Sequence, residues 1–413
     1  MKTSILKSLF VIGAVFIFYT NIPVYLYVLE YSSITPLFWI ELLAGVVLLI
    51  LTFQFIKGDK ARNVIPFLPV LIWAFYFIEI SVVWFVFSDH SEIVSQALRQ
   101  RFLGVIFFFL FLLMLCGDAK LLIKARWVVF VSVLIAVANN VYDLLAPFTF
   151  VPLVRGFANP GRAAGLYINA NQAGAALIVG MILTVGLLTK KYRTPYVFIV
   201  LLGVLLTFSR AALLGWIIVS LILMVQDTVS KRQFLAGLGI AVLIISLSLP
   251  LLPGFIQTVE GINVSNIIDR INNPLDIQDF SGQQRVQVAE RSWEMFVEHP
   301  LLGNGIASTE TWSEGASTHN MYLYYMADHG ILGIIILPLF VLTVVWGARG
   351  KARQTTLPFL VFVLFWGFFS HNVVQEYYFL IVFACMAAMN IQSQLPTESA
   401  ILRPENYPLD VRS

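Results

Sequence analysis

Apolar residues fill most of the chain in runs of roughly twenty, separated by short polar connections, and a helix of that length crosses a hydrocarbon core about 30 Å thick. The pattern predicts an all-α fold, a polytopic transmembrane helical bundle of about twelve spans centred near residues 13, 45, 76, 109, 132, 180, 201, 219, 243, 338, 363 and 384. One polar stretch, residues 253–318 between the ninth and tenth runs, is far longer than the others. Connections of that length either carry function or lack fixed structure. The expected organisation is transmembrane helices 1 to 9 over 1–252, one large external loop over 253–318, helices 10 to 12 over 319–392 and a cytoplasmic tail over 393–413.

Inside the long loop, Ser281 and Gly282 mark a helix start, RVQVAERSWEMFVEH runs on to Pro300, and the glycines of PLLGNG end it. At 100° per residue, Val286, Ala289, Trp293, Phe296 and Val297 form one apolar stripe, as in a helix lying at a membrane surface. Arg291 faces the other way among Gln287, Glu294 and Glu298, where it reads as a solvated ion-pair residue. Arg285 falls between Val288 and Phe296, within the stripe, where a cation needs an anionic partner.

Composition removes the soluble alternatives, since 59% of residues are hydrophobic and only 12% are charged. The first apolar run has no small-residue cleavage site behind it and reads as a retained helix. Cys116 and Cys385 lie in or at the end of apolar runs without metal-type spacing, so neither a disulfide nor a zinc site is expected.

Charge orients the chain. Basic clusters recur in every second connection and hold all ten lysines, which places both termini in the cytoplasm. The opposite side carries no lysine but eight arginines: Arg99, Arg101, Arg155, Arg162, Arg210, Arg270, Arg285 and Arg291. Guanidinium forks suit bidentate recognition of phosphate or carboxylate, and pairing with lipid headgroups or local carboxylates is the competing reading for each.

Several residues could carry chemistry. Arg210, in TFSRAALLGW, sits in a nearly loopless hairpin between the seventh and eighth runs, aimed at the outer mouth of the bundle. His319 follows Ser317 and Thr318, two good N-cap types, which predicts it in the first turn of the tenth span, where the helix dipole keeps imidazole neutral and able to take a proton. His90, His299, His329 and His371 take the structural reading, with His371 in its own His-Asn pair as the rival base. Glu41 and Glu79, inside apolar runs, are functional candidates by default. Nucleotide-binding and nucleophile-elbow motifs and a Cys/His metal cluster are missing, so no cofactor, no metal and no nucleic acid is expected. No internal repeat supports an inverted-repeat transporter.

Four stretches carry a resemblance: AAGLYINANQAGAAL (163–177), LLTFSRAALLGW (205–216), GQQRVQVAERSWEMFVEHPLLGNG (282–305) and HNMYLYYMADHGILG (319–333). Together they resemble the O-antigen ligase and O-antigen polymerase superfamily of bacterial inner-membrane glycosyltransferases. The last two are the more specific, and residues 1–150 match only in span count and hydropathy. The resemblance implies about twelve helices with a large periplasmic loop, and metal-independent, inverting transfer of a glycan from undecaprenyl diphosphate to an acceptor hydroxyl at the periplasmic face. It implies His319 as the base for the acceptor and Arg210 and Arg285 as binders of the diphosphate. Arg99, Arg101, Arg155, Arg162 and Asn320 are further substrate-binding candidates, with Asn320 orienting the ring or capping the helix. The chain departs from the common pattern at NANQ (169–172) and at His329 beside Asp328.

Membership of this class leaves the acceptor open. Lipid A-core would make the protein an O-antigen ligase of lipopolysaccharide biosynthesis, and a second lipid-linked repeat unit would make it a polymerase. A protein O-oligosaccharyltransferase is a third member of the class. A glycan flippase or polysaccharide transporter is the reading from outside it, and would spread its charges along a midplane path. An enzyme groups Arg210, Arg285 and His319 at one end.

Overall fold

A computed structural model describes residues 2–56, 67–152, 162–248, 280–312 and 318–394. The described residues are helical, with no strand among them. The α-helices are α1 (Lys2–Tyr19), α2 (Ile22–Val28), α3 (Pro36–Ile56), α4 (Leu68–Val86), α5 (Glu92–Leu115), α6 (Ala119–Leu145), α7 (Ala170–Thr184), α8 (Lys190–Leu206), α9 (Arg210–Val225), α10 (Lys231–Ser248), α11 (Phe280–Glu298), α12 (Met321–His329), α13 (Ile336–Val345), α14 (Gly350–Trp366) and α15 (Tyr377–Gln394).

The all-α expectation holds, but the count of about twelve spans does not. Among the described residues five helical stretches are long and apolar enough to cross a membrane: Leu68–Val86, Glu92–Leu115, Ala119–Leu145, Ala170–Leu187 and Met321–Val345. A sixth exists if Ile5–Tyr19 and Ile22–Val28, bent by 47°, act as one. The apolar pieces Pro36–Thr52, Arg210–Val225 and Ala352–Trp366 fall short. The difference is physical, because an apolar run records which residues avoid water and not how far one helix continues. Asn21 in the left-handed region breaks the first run, and Phe208 and Gly347, both at positive φ, end others. Each break spends apolar sequence on turns. The result is a multi-pass architecture with several long apolar helices packed among shorter ones.

Two helices form the centre. Every residue of α7 from Ala173 to Thr184 is buried, and α15 is buried from Tyr378 to Ala388. With the same apolar surroundings on both sides, association relies on close packing and interhelical hydrogen bonds, which favours small residues. Gly174 of α7 lies against Ala212 of α9, Gly203 of α8 against Leu177 and Val137, and the Tyr19 hydroxyl donates to the Ala176 carbonyl at 2.6 Å. Asn140 in α6 donates to the Gly203 carbonyl at 3.0 Å, and Trp73 in α4 to that of Ile336 at 3.1 Å. Large apolar side chains such as Leu48, Phe75, Val131 and Ile240 point outward, as a lipid-facing surface requires.

Helix α11 matches the helix read from the loop sequence within two residues at each end. Its packed face is Val288, Ser292 and the partly covered Arg285, Met295 and Phe296. Val286, Trp293 and Val297 of the expected stripe stay exposed, continuous in sequence with exposed Leu301 and Leu302. The remainder of the long loop, residues 253–279 and 313–317, and the tail from 395 lie outside the described residues, as do Arg155 and Arg270.

Candidate active site

One end of the bundle is tied together by hydrogen bonds between helix ends. Asn171, in the first turn of α7, accepts from the Ser209 hydroxyl at 2.7 Å and from Arg162 Nη2 at 2.9 Å, while Arg162 Nε donates to the Thr207 carbonyl at 3.1 Å. Gln172 donates to Glu376 just ahead of α15. The Met321 amide donates to the Gly367 carbonyl at 2.7 Å, which joins the start of α12 to the end of α14. The starts of α7, α9, α12 and α15 and the ends of α8 and α14 therefore share one end. Arg210, His319 and His371 all lie there.

His319 stands immediately before the cap of α12 and not in its first turn. The cap is Asn320, whose side-chain oxygen accepts from the amides of Tyr322 (3.0 Å) and Leu323 (3.2 Å). The expected cap residue Thr318 is buried with its hydroxyl unpartnered, and Ser317 lies outside the described residues. The reason is register: an Asx cap one residue before helical φ/ψ outcompetes the hydroxyls upstream, and it leaves His319 accessible at the rim.

The imidazole is accessible yet surrounded by dense protein. That enclosure, and behind it the positive charge of Arg285, lowers its pKa to about 4, so the ring is neutral at pH 7. His371 lies beside it, ring centroids 5.9 Å apart, and the Tyr324 ring is 5.6 Å from that of His371. Burial and the neighbouring His319 lower the His371 pKa to about 3, and its Nδ1 is buried without a partner. Tyr324 donates to Glu310 Oε1 at 2.7 Å, and burial raises the Glu310 pKa.

The two arginines of the proposed diphosphate site come from different elements. Arg210 opens α9 behind the Ser209 cap, whose hydroxyl accepts from the Ala212 amide at 3.3 Å, and the turn from α8 is three residues long. Its guanidinium is half-buried. Arg285 lies on the packed face of α11, where its charge acts on His319. The structure thus puts His319 within range of the charge of Arg285 and puts Arg210 at the same end.

The other candidates separate. Arg99 is exposed on α5, and Arg162 belongs to the Asn171–Thr207 cluster. Arg101 is fully buried and its two Nη groups go to Asp328, His329 and Ser81. Glu41 and Glu79 are exposed on the flanks of α3 and α4. Two acidic residues, Asp328 and Glu376, take buried partners that lie far away in the sequence. Asp328 takes part in the buried Arg101 cluster, and a carboxylate in the apolar run MYLYYMADHGILG was the available signal. Glu376, held by Gln172, has its pKa raised to about 7 by burial. Among the described residues no group of three or more His, Cys, Asp or Glu stands together as metal ligands would.

Fold and site together define a helical membrane protein with a neutral histidine and two arginines at one end of its bundle. Residues 195–338 match the family of the O-antigen ligases, a segment that contains Arg210, Arg285 and His319. A comparison with curated proteins finds no match.

Proposed function

We propose that the protein transfers a glycan from undecaprenyl diphosphate to an acceptor hydroxyl at the periplasmic face of the bacterial inner membrane, as an O-antigen ligase whose acceptor is lipid A-core. The observation that carries this reading is the position of His319, accessible just before the cap of α12, at the end of the bundle where Arg210 also lies and within range of the charge of Arg285. The match to the O-antigen ligase family over the segment holding all three residues supports it. Grouping at one end also fits an enzyme better than a transporter with charges along its path.

In the proposed reaction the neutral imidazole of His319 takes the proton of the acceptor hydroxyl as its oxygen attacks the anomeric carbon. The bond from that carbon to the diphosphate oxygen breaks, and its electron pair leaves with the diphosphate. Arg210 and Arg285 neutralise the charge that develops there, an electrostatic role worth about 10²–10³ in rate for each well-placed donor. Attack opposite the leaving group inverts the anomeric centre.

The arrangement couples donor to base. An imidazole with a pKa near 4 is a weak base. A bound diphosphate cancels the charge of Arg285, so His319 becomes more basic only when the donor is in place.

The test is transfer by purified, reconstituted protein in EDTA, with a lipid-linked glycan as donor and either lipid A-core or a second lipid-linked repeat unit as acceptor. Product on lipid A-core is expected. Chain extension instead would make the protein a polymerase, and no transfer to either would return the transport reading.

A further inference from the structure

Three ionisable or polar-ring residues sit in apolar sequence without a part in the proposed reaction: Arg101 in LRQRFLGVIFFF, and Asp328 and His329 in YMADHGIL. They are 227 and 228 residues apart, and the fold brings them into one fully buried cluster. Arg101 Nη2 donates to Asp328 Oδ2, while Nη1 lies 2.6 Å from His329 Nε2 and 3.3 Å from Ser81 Oγ. A guanidinium has only donors, so His329 Nε2 accepts and its Nδ1 carries the proton. The guanidinium also lies over the Tyr325 ring, 5.0 Å from its centroid.

Asp328 faces two ways. Besides Arg101, its carboxylate accepts from the Ala307 amide at 3.0 Å and from the amide and hydroxyl of Ser308 at 2.9 Å each. Those residues end a strap, 299–308, that leaves α11 and lies against the end of α12. The Asn304 and Gly305 amides donate to the carbonyls of Ala327 (2.8 Å) and Asp328 (3.1 Å), and the Ile331 amide to that of Pro300 (2.8 Å). Trp84 donates to the Leu302 carbonyl, and the Asn304 side chain reaches back to the Met295 carbonyl of α11 at 2.9 Å. The approach is so close that Gly303 and Gly330 both adopt positive φ, and a Cβ on Gly330 would stand 2.5 Å from the Leu301 carbonyl carbon. Arg285 lies on α11 along the packed face that runs through Val288 and Ser292 toward Met295.

We propose that Asp328 and Arg101 are positioning residues: the carboxylate, itself held by Arg101, clamps the 299–308 strap to α12 and so fixes α11 with Arg285 facing His319. A buried ion pair is weak evidence for stability and better suited to fixing one arrangement among several. Here the arrangement is the register of a surface helix against the helix that the catalytic histidine precedes. The proposal rests on the functional reading above for its catalytic consequence, and on the strap geometry alone for its structural one.

The two parts are tested separately. Spin labels at exposed Glu290 on α11 and exposed Leu332 beyond α12 report the distance between the two elements without reference to activity. Asp328→Asn is expected to broaden that distance distribution. The same variant should lower kcat by at least about tenfold through misplacement of Arg285. It should also shift the acid limb of the transfer rate to higher pH, because among the described residues Arg285 from α11 and His371 from the segment before α15 act on His319, and only the former is moved. A purely structural loss would lower the amplitude and leave the limb in place.

Should Asp328→Asn fail to fold, Ser308→Ala decides. It removes one of the strap's bonds and keeps the Arg101 pair, and a smaller change in the same direction is expected. A folded variant with an unchanged distance distribution and an unchanged limb overturns the proposal. If His319→Ala retains full transfer, the reading of the reaction fails, while the label distances still report on the clamp.

Discussion

Replacing Arg285 by Gln removes a charge and keeps most of the side chain, so it isolates the electrostatic part of the site. The His319 pKa stands at about 4 against an ordinary 6.5, with enclosure the larger cause and Arg285 the smaller. Arg285 therefore accounts for less than half the gap, at most about one pH unit. The sign follows directly: a nearby cation disfavours imidazolium, so its loss raises the pKa and the base form disappears at a higher pH. The acid limb of kcat/KM, which reports the free enzyme, should move up from near 4 by at most about one pH unit. A bound diphosphate would place negative charge beside the ring in wild type and variant alike, so in both the limb of kcat should lie above that of kcat/KM. The rate itself should fall by about 10²–10³. Initial rates in lipid nanodiscs between about pH 3.5 and about 8, fitted for both parameters, measure all of this. A limb that stays in place or moves down in the variant would refute the claim that Arg285 faces the base.

Asn320→Ala removes the acceptor for the Tyr322 and Leu323 amides and should cost about 1 kcal/mol in a melting experiment. Because His319 is the preceding residue, kcat should drop while KM for the donor is nearly unchanged. Gly303→Ala places a Cβ against the backbone of Asp328 and Gly330 at φ +69°, so it should destabilise by at least about 2 kcal/mol. Gly45→Ala, where a Cβ meets no atom within 4 Å, should melt at or above the wild-type temperature.

Local chemistry was legible in the sequence and long-range pairing was not. The bounds of α11 and the hairpin at Arg210 follow from residues within a few positions, whereas the cap expected at Ser317 or Thr318 falls instead at Asn320 and leaves His319 just ahead of the helix. The span count failed because hydropathy does not fix helix length: the first run bends at Asn21, and apolar helices such as Arg210–Val225 and Ala352–Trp366 stop short of a full crossing. It also treats alike an apolar helix that faces lipid and one such as α7 or α15 that is buried on all sides. Arg101 drew notice as an outer arginine, but its partner lies 227 residues away, and no local pattern announces that a charge will be used to hold a strap. His371 was read as a rival to His319 on the strength of its His-Asn pair, and the fold puts the two rings side by side. Their different exposure separates them: the accessible ring is His319.

The most direct measurement is single-turnover transfer from a lipid-linked glycan by reconstituted wild type, His319→Ala and His371→Ala, with donor binding followed in parallel. His319→Ala is expected to bind donor normally and to lose about 10²–10⁴ in rate, and His371→Ala to retain more activity than that. A His319→Ala protein that transfers at the wild-type rate would contradict the role of His319 as the base.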